Sequence, residues 1–344
     1  MNKITTSMKG LAIMFIAIHN LLGLSIYGYV QCNEKTFDVE RLISVNKHLS
    51  VIDESIIGDF FSFIGWFGVP VFVFLSGYGL SRKYEKKNID CFNYIKHSYL
   101  KLLVLILPAA IFYILKLLIS GDYHGILVRL PSFTFLENLF RMMHLVPTYW
   151  YFSLTFQLYL LFILIKKINS NRVLITIAVS FLLLQGFIPI LDNQSQELLR
   201  YCKSNFLGWI SLFIVGVIMG RINRKEGVKY NIFSLICLTV FFLCLSWFLN
   251  YNYYIWLLLP FSSVVFFYTL AKLVSLSSIF SKLSNWIGQI SPYIFVVHPL
   301  IAEPISVNQG ISIRVALLLY LVLLFITVII YKQTVIKLKT IIKF

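Results

Sequence analysis

Two histidines, a handful of basic residues and one polar helix face stand out against a very apolar chain. His19 falls about ten residues into the first apolar run, roughly 15 Å deep at 1.5 Å per residue. An imidazole is neutral at pH 7 and can take a proton from a hydroxyl as that oxygen attacks an acyl carbonyl. The same position suits a histidine that only hydrogen-bonds a neighbouring helix. His298, the second histidine at depth, closes Ile287-Gly288-Gln289-Ile290-Ser291-Pro292-Tyr293-Ile294-Phe295-Val296-Val297-His298-Pro299. Its two prolines break a helix ladder, which is tolerated only inside protein or beside a wet cavity.

Basic residues suggest a second site. Lys9, followed by Gly10, starts the first run and either binds phosphate or snorkels to the interface. Ser76-Gly77-Tyr78-Gly79 leads into Arg82-Lys83, so small residues admit close backbone approach just before two cations. That is either plain interfacial charge or a mouth for a polyanionic, phosphate-bearing donor. Trp150 belongs to the interfacial stretch Tyr149-Trp150-Tyr151. Beyond it Ser153 and Gln157, four apart, share a face that must point into a bundle, with Tyr159 deeper. No Asp or Glu falls near the middle of a span; Asp59, Asp192 and Glu303 sit at outer ends, which argues against an ion-driven transporter. Five cysteines without a CxxC pair indicate neither a metal site nor a disulfide framework.

The elements that must position these residues are membrane helices. Of 344 residues, 59% are apolar and 13% charged, about half the charge of a soluble domain. Ten apolar runs lie near 10–30, 60–80, 101–119, 148–165, 173–191, 206–222, 231–249, 254–271, 283–302 and 311–331, long enough to cross roughly 30 Å of hydrocarbon. An even number puts both termini on one side. Twenty-one of the 30 Lys and Arg then fall inside and seven outside, the alternation expected if the termini are cytoplasmic. The net charge of +16 is accounted for without nucleic acid. The two larger outer loops, 31–59 and 120–147, are too small for domains, so residues 1–344 read as one all-α bundle in the lipid bilayer. Gly216 and Gly220 form a GxxxG pair suited to packing within it.

The chain resembles the acyltransferase-3 family over essentially its whole length. The resemblance rests on Lys9-Gly10-Leu11-Ala12 running to His19, on Val69-Pro70-Val71-Phe72-Val73-Phe74-Leu75-Ser76-Gly77-Tyr78, on Trp150 to Tyr159, and on Gly288-Gln289-Ile290-Ser291 through His298-Pro299. It implies a bacterial cytoplasmic-membrane enzyme with a ten-helix core. Such an enzyme moves an acyl group, often acetyl, from cytoplasmic acyl-CoA to a hydroxyl of an extracytoplasmic glycan or lipid-linked sugar. His19 matches the family's first-helix histidine and would be the base. Arg82, Lys83 and Lys9 would hold the donor phosphates, and Tyr78, Trp150, Gln157, Tyr159 and His298 would line the passage or hold the acceptor. Acyl-CoA is a co-substrate, no cofactor or metal is expected to be bound, and glycan-synthesis proteins, in an exopolysaccharide or cell-envelope setting, are candidate partners. Two departures stand out. The family's basic residue lies eleven before the histidine, whereas Lys9 lies ten before His19, turned about 80° off its face. Thr155 stands where many O-acetylating members carry glutamate. The alternative reading is a polysaccharide or lipid exporter without acyl-transfer chemistry.

Overall fold

The computed structural model describes residues 3–24, 33–51, 56–85, 87–192, 196–222, 231–306 and 312–342. Cys32, Lys86, Arg224, Lys225, Lys229 and Lys343, which enter the charge and cysteine readings above, lie outside the described residues. Every regular element among the described residues is helical, as the apolar runs predict. In chain order they are α1 (Lys3–Leu24), α2 (Val39–Ser50), α3 (Ile56–Ile64), α4 (Gly68–Tyr84), α5 (Cys91–Ile119), α6 (Tyr123–Arg129), α7 (Trp150–Lys167) and α8 (Asn171–Gly186). The order continues with α9 (Ile188–Leu191), α10 (Glu197–Ser204), α11 (Ile210–Arg221), α12 (Ile232–Phe248), α13 (Tyr253–Trp256), α14 (Leu259–Val274), α15 (Ser278–Ser306) and α16 (Ile313–Ile341). Short polar side chains start several of them: Asp38 accepts from two N–H groups of α2, and Asp90 from two of α5.

Seven helices among the described residues are long and apolar enough to cross a membrane. They are Lys3–Leu22, Gly58–Tyr84, Cys91–Ile119, Pro147–Lys167, Asn171–Leu191, Ile232–Tyr251 and Ile313–Ile341. The other three expected spans fall on α11 and α14, which are apolar but short, and on α15, which is long but carries polar residues and three prolines. Burial sorts the seven. Gly58–Tyr84, Pro147–Lys167 and Lys3–Leu22 are 72%, 67% and 56% buried, whereas the last two spans in the chain are each 22% buried. The helices with the chemical residues are therefore interior ones, and the others turn apolar side chains outward.

Two compact units form. The first joins residues 1–75 to 223–326 and the second holds 76–222 and 327–344. In the first, α1 is the central strut. It packs most extensively on α15 and also on α3, the turn Gly65–Phe67 and α14. Glycines set the spacing: a Cβ at Gly10 would lie 2.0 Å from the Ser284 carbonyl oxygen, and one at Gly288 1.9 Å from that of Thr6. The Ser7 and Ser284 hydroxyls pair at 2.8 Å in the same seam, and Tyr320 of α16 donates to the Ala17 carbonyl at 3.1 Å.

In the second unit Gly77 and Gly220 give the close approach their spacing suggests. A Cβ at Gly77 would meet the Phe213 carbonyl oxygen at 2.3 Å, and one at Gly220 the Tyr78 carbonyl oxygen at 2.8 Å. Pro108 interrupts α5, and Tyr331 of α16 inserts there. Its hydroxyl donates to Leu105 O at 2.7 Å and accepts from the Ala109 N–H at 3.3 Å, taking both ends of a helix bond beside the proline.

Candidate functional site

His19 lies on the interior face of α1 and is 4% exposed. Its Nδ1 faces the Phe61 carbonyl of α3 at 3.4 Å. A carbonyl accepts only, so the ring proton is assigned to Nδ1 and Nε2 becomes the basic atom. The wall beside the imidazole is glycine for a steric reason: a Cβ at Gly65 would stand 2.2 Å from His19 Cβ and 2.7 Å from the Phe15 carbonyl oxygen. A Cβ at Gly68, one turn on, would stand 2.4 Å from the Ala12 carbonyl oxygen. Residues 12, 15–16 and 19 of α1 thus form a track along which the Gly65–Gly68 backbone runs. Phe15 fixes the other flank, its ring 5.3 Å from Phe61 and 5.1 Å from Phe267, both edge-on.

His298 joins this site through Asn20. Pro299 has no N–H, which strips the Phe295 carbonyl of its helix partner. His298 Nδ1 donates to that oxygen at 2.9 Å and lies 3.2 Å from the Ile294 carbonyl. Its Nε2 then accepts from the Asn20 side-chain amide at 3.0 Å. Ser291 does the same for Pro292, donating to the freed Gly288 carbonyl at 2.9 Å. So α15 continues through both prolines because the residue before each fills the bond the proline removes. His298, fully buried, ties α15 to the residue next to His19.

The remaining expected residues lie elsewhere on α1 and on α4 and α7. Lys9 is half-buried on the first turns of α1; Arg82 and Lys83 are exposed on the last turn of α4, with the Lys83 ammonium 4.9 Å over the Tyr84 ring. Tyr78 and Tyr159 are half-buried, in α4 and α7. Nearby Arg221 caps α7 by donating to the Ile168 carbonyl at 2.8 Å, so this cation of the basic end is used internally.

Trp150 and Gln157 belong to a polar cluster at the head of α7, and its centre was not expected from the sequence. Glu137, in the segment before α7, is 1% exposed. Its Oε1 accepts from Ser153 Oγ and from His144 Nδ1, the latter at 3.1 Å. The neighbouring Asn138 donates to the Trp150 carbonyl at 2.9 Å and also to the Ser204 carbonyl. Gln157 accepts from the Phe206 N–H at 3.1 Å. Lys203 is 2% exposed, its ammonium 5.4 Å over the Trp209 ring. Burial pushes it down to about 8. Thr155 hydrogen-bonds the Tyr151 carbonyl of its own helix, so the carboxylate that reaches α7 comes from the loop instead. Two non-glycine residues in the left-handed region, Phe135 (φ 55°) and Arg141 (φ 54°), bracket Glu137 and turn it inward. Among the described residues no group of His, Cys, Asp and Glu could hold a metal ion.

Seven helices long and apolar enough to cross a membrane among the described residues define a multi-pass membrane protein. The family model described as an acyltransferase domain matches residues 6–331, and the chain belongs to that acyltransferase-3 family of membrane acyltransferases. No curated protein and no solved structure matches the chain.

Proposed function

We propose that the protein transfers an acyl group, specifically acetyl, from cytoplasmic acyl-CoA to a hydroxyl of an extracytoplasmic glycan or lipid-linked sugar, with His19 as general base. The carrying observation is the His19 Nδ1 to Phe61 carbonyl contact, which makes Nε2 the proton acceptor within the apolar first helix. The acceptor hydroxyl adds to the thioester carbonyl while its proton passes to Nε2. The tetrahedral species then collapses, the carbon–sulfur bond breaks, and the proton moves to the departing thiolate sulfur. Arg82 and Lys83, exposed at the basic end of α4, and Lys9 bind the donor phosphates. Tyr78, Trp150, Gln157, Tyr159 and His298 serve the acceptor or its passage. No bound cofactor takes part.

The same reading carries ten crossings, both termini in the cytoplasm, one functional domain in a bacterial cytoplasmic membrane, and an association with glycan-synthesis proteins. The decisive assay supplies purified protein with radiolabelled acetyl-CoA and follows both thiol release and label on added saccharide. Transfer is expected. An exporter without chemistry moves saccharide across proteoliposomes while leaving the thioester intact, and that pattern would replace this reading.

A further inference from the structure

We infer that the segment joining α5 to α7 is a lipid-binding surface, its exposed apolar side chains lying in the membrane interface rather than in water. Its course begins with a fixed turn. The Gly121 N–H donates to the Leu118 carbonyl at 3.1 Å and the Asp122 N–H to the Leu117 carbonyl at 2.9 Å. Gly121 has a φ of 75°. This pair of bonds ends α5 on a left-handed glycine and turns the chain off the helix axis. Asp122 then caps α6 by accepting from the Gly125 N–H at 2.7 Å, and α6 packs back on α5. The chain therefore stays at the end of the membrane span instead of running out into solvent.

The side chains this segment exposes are apolar. Tyr123 and Leu127, with Leu130 just beyond α6, share one face at about 100° per residue, and they are 66%, 65% and 47% exposed. Gly125, on the opposite face, is buried. Phe140, Met142 and Met143 are exposed as well. Of the segment's two acids, Glu137 is buried and Asp122 is the cap. By contrast α2, which buries Leu42 and Val45, exposes Glu40, Lys47, His48 and Ser50. Continuity names the occupant. The apolar face follows directly in the chain on Leu115, Leu118 and Ile119, exposed at the end of α5, a membrane-spanning helix only 33% buried. Lys116, in the last turn of α5 with its ammonium 5.9 Å over the Tyr113 ring, marks the headgroup level. A short apolar helix face with basic residues beside it is the pattern of an element that lies in the interface plane.

The test reads no transfer activity, so its outcome is independent of the acyl-transfer reading. Leu127→Cys and Phe140→Cys, each in a full chain otherwise free of cysteine, are spin-labelled and reconstituted in phosphatidylcholine–phosphatidylglycerol vesicles. Leu115→Cys serves as the lipid reference and Lys47→Cys as the water reference. Oxygen concentrates in hydrocarbon and a charged nickel chelate stays in water, so power saturation with each reports the surroundings of the label. The ratio of oxygen to nickel accessibility at 127 and 140 should exceed that at 47 several-fold and approach that at 115. A ratio like that at 47 would make the segment an aqueous loop and overturn the inference. Low accessibility to both reagents would mean a protein cover, such as a second copy of the chain, and overturn it equally. Wild-type protein, which needs no substitution, gives a second reading in vesicles containing a diazirine-bearing phosphatidylcholine. Lipid adducts should map within residues 123–143; adducts confined to the spans would refute the lipid contact.

Discussion

Both ring nitrogens of His298 are engaged, Nδ1 on the carbonyl that Pro299 strands and Nε2 on Asn20. These contacts tie α15 to α1, and a double-mutant cycle reads the repair of the carbonyl that Pro299 strands. His298→Ala leaves the Phe295 carbonyl unbonded and should cost about 1–3 kcal/mol of unfolding free energy. Pro299→Ala restores the missing N–H, so the double variant should recover much of the loss; strictly additive effects would disprove the compensation. Lys203 makes a second prediction at this scale. Its buried ammonium has a value near 8 against 10.5 when free, so the unfolded chain binds more protons between those values. Stability should therefore rise from pH 8 to 10.5 relative to Lys203→Met, and stay flat below pH 8. Thermal unfolding in detergent across that range reads the sign; a falling difference would refute it. The two histidines and the Ser153–Gln157 face were legible because a polar residue in an apolar run is conspicuous. Glu137 was not: its burial depends on left-handed Phe135 and Arg141, where no glycine marks the turn.

At the scale of elements, close backbone approach decides where His19 sits. Gly65→Ala would place a methyl 2.2 Å from His19 Cβ and against the Phe15 backbone, so α1 and the Gly65 turn must separate. Transfer should fall at least tenfold, with lowered stability. Gly79→Ala meets nothing within 4 Å, and should be neutral or stabilise by about 0.5–1 kcal/mol through helix propensity. Equal behaviour of the two variants in parallel transfer and melting assays would remove the steric argument. The Ser76-Gly77-Tyr78-Gly79 stretch signalled packing correctly but could not assign its glycines. Gly77 meets the backbone of α11 while Gly79 faces open space, a distinction fixed only by helix rotation. The prolines of α15 gave a clear sequence signal of broken bonds, and the structure adds that Ser291 and His298 repair them.

For the whole molecule, hydropathy carried most of the architecture. Long apolar runs such as Cys91–Ile119 are unmistakable, and seven helices qualify as spans on their own. Runs near 206–222, 254–271 and 283–302 were legible as helices, but short length or polar content separates them from the seven. Orientation follows from charge. Exposed Cys91, at the basic start of α5, should resist a membrane-impermeant thiol reagent in intact cells and react after lysis. Labelling before lysis would invert the topology. The central claim is that a neutral imidazole in the first helix takes the acceptor's proton. His19→Asn keeps a donor for the Phe61 carbonyl but has no base at pH 7. Transfer of labelled acetyl from acetyl-CoA to saccharide, measured beside the melting temperature of the same preparation, should fall about 10²–10⁴-fold with folding retained. Wild-type transfer by the folded His19→Asn protein would contradict the mechanism.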